Sequence, residues 1–178
     1  QDSKGQTALM YIIKTNTSVQ YINICVRLLA PYSNINLQDI DGWTIIMLVS
    51  IITAYLGSED ILEFLLNTNN CDCNIKNLEG CTALMLAACY SNNCSTFNTV
   101  KLLATKTDPN IKNNDGFTAL MLAATNSRVC STTETIKFLA NISNCNIKND
   151  CGYTAIMLAA VNSQNYSTAE AVSILAEY

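Results

Sequence analysis

The sequence predicts an all-α solenoid of five helix-loop-helix units joined by β-hairpin-like loops. Two observations carry this. The first is a recurring stretch. Gly116-Phe117-Thr118-Ala119-Leu120-Met121-Leu122-Ala123-Ala124 returns nearly letter for letter from Gly152 and from Gly80, and looser copies open at Gly42 and Gly5. The glycines fall at intervals of 37, 38, 36 and 36 residues, and self-similarity at such a period marks a repeat architecture. The second is composition: 49% of the 178 residues are apolar, enough for a continuous core, and no linker separates the copies. The units run approximately over residues 1–35, 36–73, 74–109, 110–145 and 146–178, as one domain.

The stretch from Asn110 to Asn146 sets the pattern. Asn110 to Gly116 is polar and turn-forming, and the glycine supplies a backbone conformation that other residues resist. Thr118 falls where a helix N-cap belongs. Ala119 to Ala124 is short, alanine-rich and apolar, which predicts a first helix packed closely on its neighbours. Thr125 to Cys130 is a polar connection. Ser131-Thr132-Thr133-Glu134 has the spacing of a capping box, and opens a second helix carrying Ile136, Phe138, Leu139 and Ala140. Ser167-Thr168-Ala169-Glu170 repeats that box ahead of Val172, Ile174 and Leu175. Ser95 and Ser58 hold the corresponding places ahead of Val100, Leu102 and Leu103 and of Ile61, Phe64, Leu65 and Leu66. The second helix of the first unit holds Val26, Leu28 and Leu29.

Hairpin, short helix, loop and longer helix at this period, with G-x-T-A-L-M-x-A-A, resemble the ankyrin repeat, whose signature is a T-P-L-H-x-A segment. The resemblance covers essentially the whole chain, with two recurring departures. Ala8, Ala83, Ala119 and Ala155, and Ile45 in the second unit, stand in place of the proline. Met10, Met47, Met85, Met121 and Met157 stand in place of the histidine. The resemblance implies a histidine that ties neighbouring loops by hydrogen bonds. A buried thioether does not do this, so order between units is expected to rest more on apolar packing. The connection between helices (Ser91 to Cys94, Ser127 to Cys130, Ser163 to Tyr166) is about four residues longer than usual in the family. The Asn-rich, Thr-Ala-Leu-Met variant is similar to arrays encoded by large DNA viruses of amoebae. Asp2 already occupies a hairpin position, and the last unit stops at Tyr178 with Val172, Ile174 and Leu175 expected to be partly uncovered. The chain is therefore read as part of a longer array, with self-association at a natural end as the alternative.

Composition narrows the function. With a net charge of -4 and no basic stripe, no nucleic-acid partner is expected. The sparse Lys and Arg equally disfavour an anionic membrane surface. The most apolar run, Thr44 to Leu56, is shorter than the ~20 residues a membrane-spanning helix needs. The start at Gln1 lacks a signal-peptide pattern. Nine scattered cysteines fit reduced thiols and an intracellular, cytoplasmic location, host cytoplasm if the chain is viral. Without histidine, no Ser/His/Asp or Cys/His arrangement can form. No enzyme activity, cofactor or metal is expected. Cys71-x-Cys73 suggests a metal or redox pair. However, Cys73 is equivalent to Cys145, Pro109 and Ile35, which favours a small buried apolar role. Cys94 and Cys130 match Leu56 and Tyr166 as apolar loop anchors. Cys71 and Cys151 fall in hairpins and are read as exposed thiols. Glu134 and Glu170 are assigned to the capping boxes.

The ankyrin resemblance implies partner-facing positions at the hairpin tips and on the exposed side of the first helix. Before the glycine these are Asp41, Glu79 and Asp115; after it, Gln6, Trp43, Cys81, Phe117 and Tyr153. After the alanine pair they are Ile51 and Ile52, Cys89 and Tyr90, Thr125 and Asn126, and Val161 and Asn162. Trp43, Phe117, Tyr153 and Tyr90 would line one concave face, and aromatic residues dominate binding hot spots. For Trp43, Ile51 and Ile52, packing onto adjacent units is the alternative. Lys76, Lys112 and Lys148, with Gln38 at the equivalent position, are either a solvated hairpin edge or a ladder of cations suited to an extended acidic peptide. The expected function is a non-catalytic module binding another protein. The alternatives are a substrate-capturing adaptor within a ubiquitin-ligase or signalling assembly, and a structural component of a particle or filament.

Overall fold

A computed structural model of the chain describes residues 1–15, 18–56, 59–68, 70–92, 95–127, 131–163 and 167–178. The described residues form ten α-helices and no β-strand. The first helices of the five units are α1 (Ala8–Thr15), α3 (Ile45–Leu56), α5 (Ala83–Cys89), α7 (Ala119–Thr125) and α9 (Ala155–Val161). The second helices are α2 (Val19–Leu29), α4 (Glu59–Leu66), α6 (Phe97–Ala104), α8 (Thr133–Ile142) and α10 (Ala169–Leu175). Each first helix packs on the next, each second helix does the same, and the two helices of a unit pack on each other. The expected loop anchors Cys94, Cys130 and Tyr166 and the cap Ser58 lie outside the described residues, as does the side chain of Leu56.

The loop ahead of each first helix closes like a hairpin. The amides of Asp39, Asn77, Asn113 and Asn149 donate to the carbonyls of Trp43, Cys81, Phe117 and Tyr153. The side chain of the same Asp or Asn then satisfies the turn. Asn113 Oδ1 accepts from the amides of Asp115 (3.1 Å) and Phe117 (2.8 Å). Asp39, Asn77 and Asp2 do the same. Successive hairpins are tied edge to edge. Leu78 donates its amide to the Asp41 carbonyl, Asn114 to Glu79 (both 3.1 Å) and Asp150 to Asp115 (3.3 Å).

This approach dictates glycine. Gly80 and Gly116 have φ of +78° and +79°. A Cβ on them would lie 2.6 Å from the amide nitrogens of Asn114 and Asp150 respectively. The hairpin then passes into a helix capped as the sequence predicts: Thr82, Thr118 and Thr154 accept from the amides of Met85, Met121 and Met157. The second helices differ from the expectation. Their N-caps are Thr96, Thr132 and Thr168, one residue after the serines of the predicted boxes. Glu134 and Glu170 therefore sit one position too early to close a box. They remain in the first turn, where the helix dipole favours an acid.

The predicted apolar packing between units is present. Met10, Met47, Met85 and Met121 are each 1% exposed beneath the next unit, whereas Met157, with no unit over it, is 46% exposed. Covering a methionine in this way contributes about 1.5–3 kcal/mol. The whole run from Ala83 to Ala88 is buried, because alanine lets neighbouring helices close together. Leu175 is buried as well, while Val172 and Ile174 are half-buried.

Apolar contact is not the only tie between units. A ladder of buried hydroxyls also crosses the interfaces, and it accounts for two of the three displaced caps. Ser91, just past α5, accepts from the Thr135 hydroxyl (3.0 Å) and the Thr132 amide (3.3 Å), and bonds Ser131 Oγ at 3.2 Å. Ser127 bonds Ser167 Oγ (3.0 Å) and accepts from the Thr168 amide (3.1 Å). One unit earlier, Thr99 donates to Thr53 at 2.8 Å. Ser131 and Ser167, expected to cap their own helices, are instead held by the preceding unit, while the Ser95 hydroxyl is buried without a hydrogen bond among the described residues.

Two stability outcomes follow from these contacts. Gly116→Ala meets both the positive φ and the Asp150 backbone, and should lose about 2–4 kcal/mol in urea unfolding. Gly152→Ala, with φ +83° but nothing within 4 Å, should lose only about 1–2 kcal/mol. Equal losses would show that the hairpin contact contributes nothing. Ser91→Ala removes three hydrogen bonds across the interface and should lower stability by about 1–3 kcal/mol. Ser163→Ala, whose hydroxyl donates to the Ala160 carbonyl at an exposed site, should stay within about 0.5 kcal/mol of the parent.

Candidate protein-interaction surface

The hairpin tips form one edge of the stack, and their polar groups divide into those held by neighbours and those left outward. Asp41, Glu79 and Asp115 have exposed side chains, while their carbonyls carry the bonds between hairpins. Lys76, Lys112 and Lys148 are exposed too. The ammonium of Lys76 donates to the Lys112 carbonyl at 2.8 Å. Gln38 makes the same bond to the Lys76 carbonyl (2.8 Å), and Gln1 to that of Gln38 (3.0 Å). This row is thus partly a ladder of side chains onto the next unit's backbone.

The aromatic row divides in the same way. Tyr153 is 43% exposed, and Tyr90, at the C-cap of α5, is 39% exposed. Trp43 and Phe117 are half-buried and pack against the core, as do Ile51 and Ile52. Cys81 is a correction. It is 7% exposed, with its sulfur beneath the Asn113 amide at 3.7 Å. A thiol is small enough to turn inward where Trp, Phe and Tyr cannot.

Two residues missed in the sequence dominate the tips. Ile40 is 62% and Leu78 69% exposed, on consecutive hairpins. Both stand two residues before a glycine, where the next two units carry Asn114 and Asp150. That contrast was available in the sequence.

The turn residue of the second unit has its own electrostatics. Its equivalents are Asn77, Asn113 and Asn149, but Asp39 brings a charge into a site where its side chain is 3% exposed. Lys14, from the end of α1 in the preceding unit, meets it at 3.0 Å. Burial pushes the carboxyl up. The Lys14 hydrogen bond, the amides of Trp43 and Asp41, and the Lys14 charge outweigh it and hold the group below its ordinary value.

Stacked helix pairs whose hairpins meet along one edge define a helical-repeat scaffold. A model of three ankyrin repeats matches residues 49–132 and a single-repeat model matches residues 115–150, which together exceed half of the chain. The chain belongs to the ankyrin repeat family, whose members are generally protein–protein interaction modules and typically not catalysts. No curated protein sequence matches it. Among the described residues, no helix is long and apolar enough to cross a membrane.

The Asp39–Lys14 pair has a measurable pH signature. A carboxyl held low in the folded state adds stability above its unfolded pKa, and that contribution is lost as pH falls through the folded pKa. Asp39→Asn keeps an acceptor for the turn amides, as Asn77 and Asn113 do. Its urea midpoint should therefore fall less than the parent's below about pH 4. Parallel acid limbs for the two proteins would remove the pair from the account.

Proposed function

We propose that the chain is a protein-binding module that takes its partner on the hairpin tips and the adjoining first-helix face, with Ile40 and Leu78 as the apolar anchors. The observation that carries this is the pair itself. Large aliphatic side chains more than 60% exposed on two successive tips add nothing to the stack, and an apolar spot with a polar margin suits an interface. Asp41 and Glu79 stand beside the anchors, so the reading favours a partner segment with apolar side chains flanked by basic ones. Tyr90, Tyr153 and the exposed edges of Trp43 and Phe117 would extend the surface along the first helices. Lys112 and Lys148 would favour acidic groups towards the C-terminal units.

Peptides selected from a random library on the 178-residue chain provide the probe. Against Ile40→Ser/Leu78→Ser, the selected peptides should bind at least ~10-fold more weakly, about 1.4 kcal/mol. The thermal midpoint should stay close to the parent's, since neither side chain is buried. Unchanged peptide affinity in the double variant would overturn the assignment of the anchors.

A further inference from the structure

Cys71 and Cys73 place two thiols in contact between α4 and the third hairpin. Their sulfurs are 3.5 Å apart, and a disulfide at about 2.05 Å would need them to approach by only roughly 1.5 Å. Cys71 is half-buried and Cys73 buried, so Cys71 is the more accessible residue of the pair. The hairpin arm at the start of the same unit fixes the backbone around the pair. Asn36 donates from Nδ2 to the Asn70 carbonyl at 2.6 Å and accepts at Oδ1 from the Asp72 amide at 3.0 Å. Asn70 itself is held at φ +68°.

The repeat provides internal comparisons. The position of Cys71 is filled elsewhere by Ser33, Thr107 and Ser143, and that of Cys73 by Ile35, Pro109 and Cys145. Only this unit has thiols at both. In the fourth unit Cys145 meets the carbonyls of Ala140 and Ser143, with no second sulfur beside it in sequence.

We propose that Cys71 and Cys73 are a redox-active dithiol that closes to an intramolecular disulfide by exchange with a low-molecular-weight disulfide such as oxidised glutathione. The two sulfurs have different roles. The hydrogen bond from Cys73 lowers the Cys71 pKa against the opposing effect of burial, and the Lys106 charge lowers it further while Asp72 opposes. The same bond, with burial, raises Cys73. Cys71 therefore attacks as the thiolate. It forms a mixed disulfide and expels one glutathione thiolate, which takes up a proton. Cys73 then loses its proton, attacks the Cys71 sulfur and expels the second glutathione. Two protein thiols are oxidised, and one glutathione disulfide is reduced to two thiols. Closure across a single intervening residue strains the product, and a strained disulfide is readily reduced again.

The test treats the reduced 178-residue chain with oxidised glutathione, traps free thiols with iodoacetamide and maps each cysteine by mass spectrometry. The expected product is a peptide lacking two hydrogens, unalkylated at both Cys71 and Cys73, that reverts on adding a dithiol reductant. Cys73→Ser should retain glutathione on Cys71. Cys71→Ser should leave Cys73 at least ~10-fold slower to react than Cys71 in the parent. Glutathione persisting on Cys71 in the parent chain would overturn the proposal, as would Cys71 reacting no faster than Cys145.

Discussion

The approach of each hairpin to the next is the constraint on which the rest of the structure depends. Gly80 and Gly116 combine a left-handed backbone with a neighbour so close that no side chain fits between. That contact fixes how far each unit is displaced and rotated against the one before. Once it is fixed, Met85 lies beneath the next unit, Ser91 meets Thr135, and Leu78 hangs its amide on Asp41. Each interface repeats the same terms, so stability is close to a sum over neighbouring pairs.

How much of this was legible depends on whether the cause is local. The glycines, the threonine caps of the first helices and the Ala-Leu-Met core are set by residues within one turn of each other, and periodicity reveals them. The hydroxyl ladder is not local. Ser91 and Thr135 are 44 residues apart, and only the register between units makes them partners. Two caps of the second helices were misplaced for the same reason. Ser131 and Thr132 both satisfy the local rule, and the Ser-x-x-Glu spacing selects Ser131. The preceding unit decides otherwise, by claiming the Ser131 hydroxyl for Ser91 and leaving Thr132 to cap. Loss of the family's histidine is thus offset by serine and threonine hydroxyls as well as by methionine packing.

The candidate surface was legible only in outline. Its location on the hairpins and first helices came with the family resemblance, but the orientation of individual side chains did not. Cys81 turns inward beneath Asn113, and Lys76 reaches a backbone carbonyl. Ile40 and Leu78 stand beside the acids Asp41 and Glu79, and at the tips the charged residue is the more conspicuous sequence signal. Cys71 was read as an exposed thiol, yet its sulfur rests against Cys73. A single-sequence pattern gives the position within the unit, and the direction of a side chain there depends on its size and on what the next unit offers.

The outward residues gain their meaning from the rigidity of the rest. Many hairpin polar groups are already engaged: turn amides by Asp39, Asn77 and Asn113, arm amides by Asn36, Asn74 and Asn110 of the neighbouring hairpin arm. These bonds leave the backbone little freedom to lose on binding, so an anchor held there forfeits less ordering entropy than one on a loose loop. Ile40 and Leu78 also sit on adjacent units of one stack, and their separation is set by the glycine contact between hairpins. Under the proposed function, engagement of one tip places the other within reach of the same partner segment. The second contact then forms at a high effective concentration. The force that fixes the fold therefore also sets the spacing of the anchors, and a partner would be selected by how well its own apolar groups match that spacing.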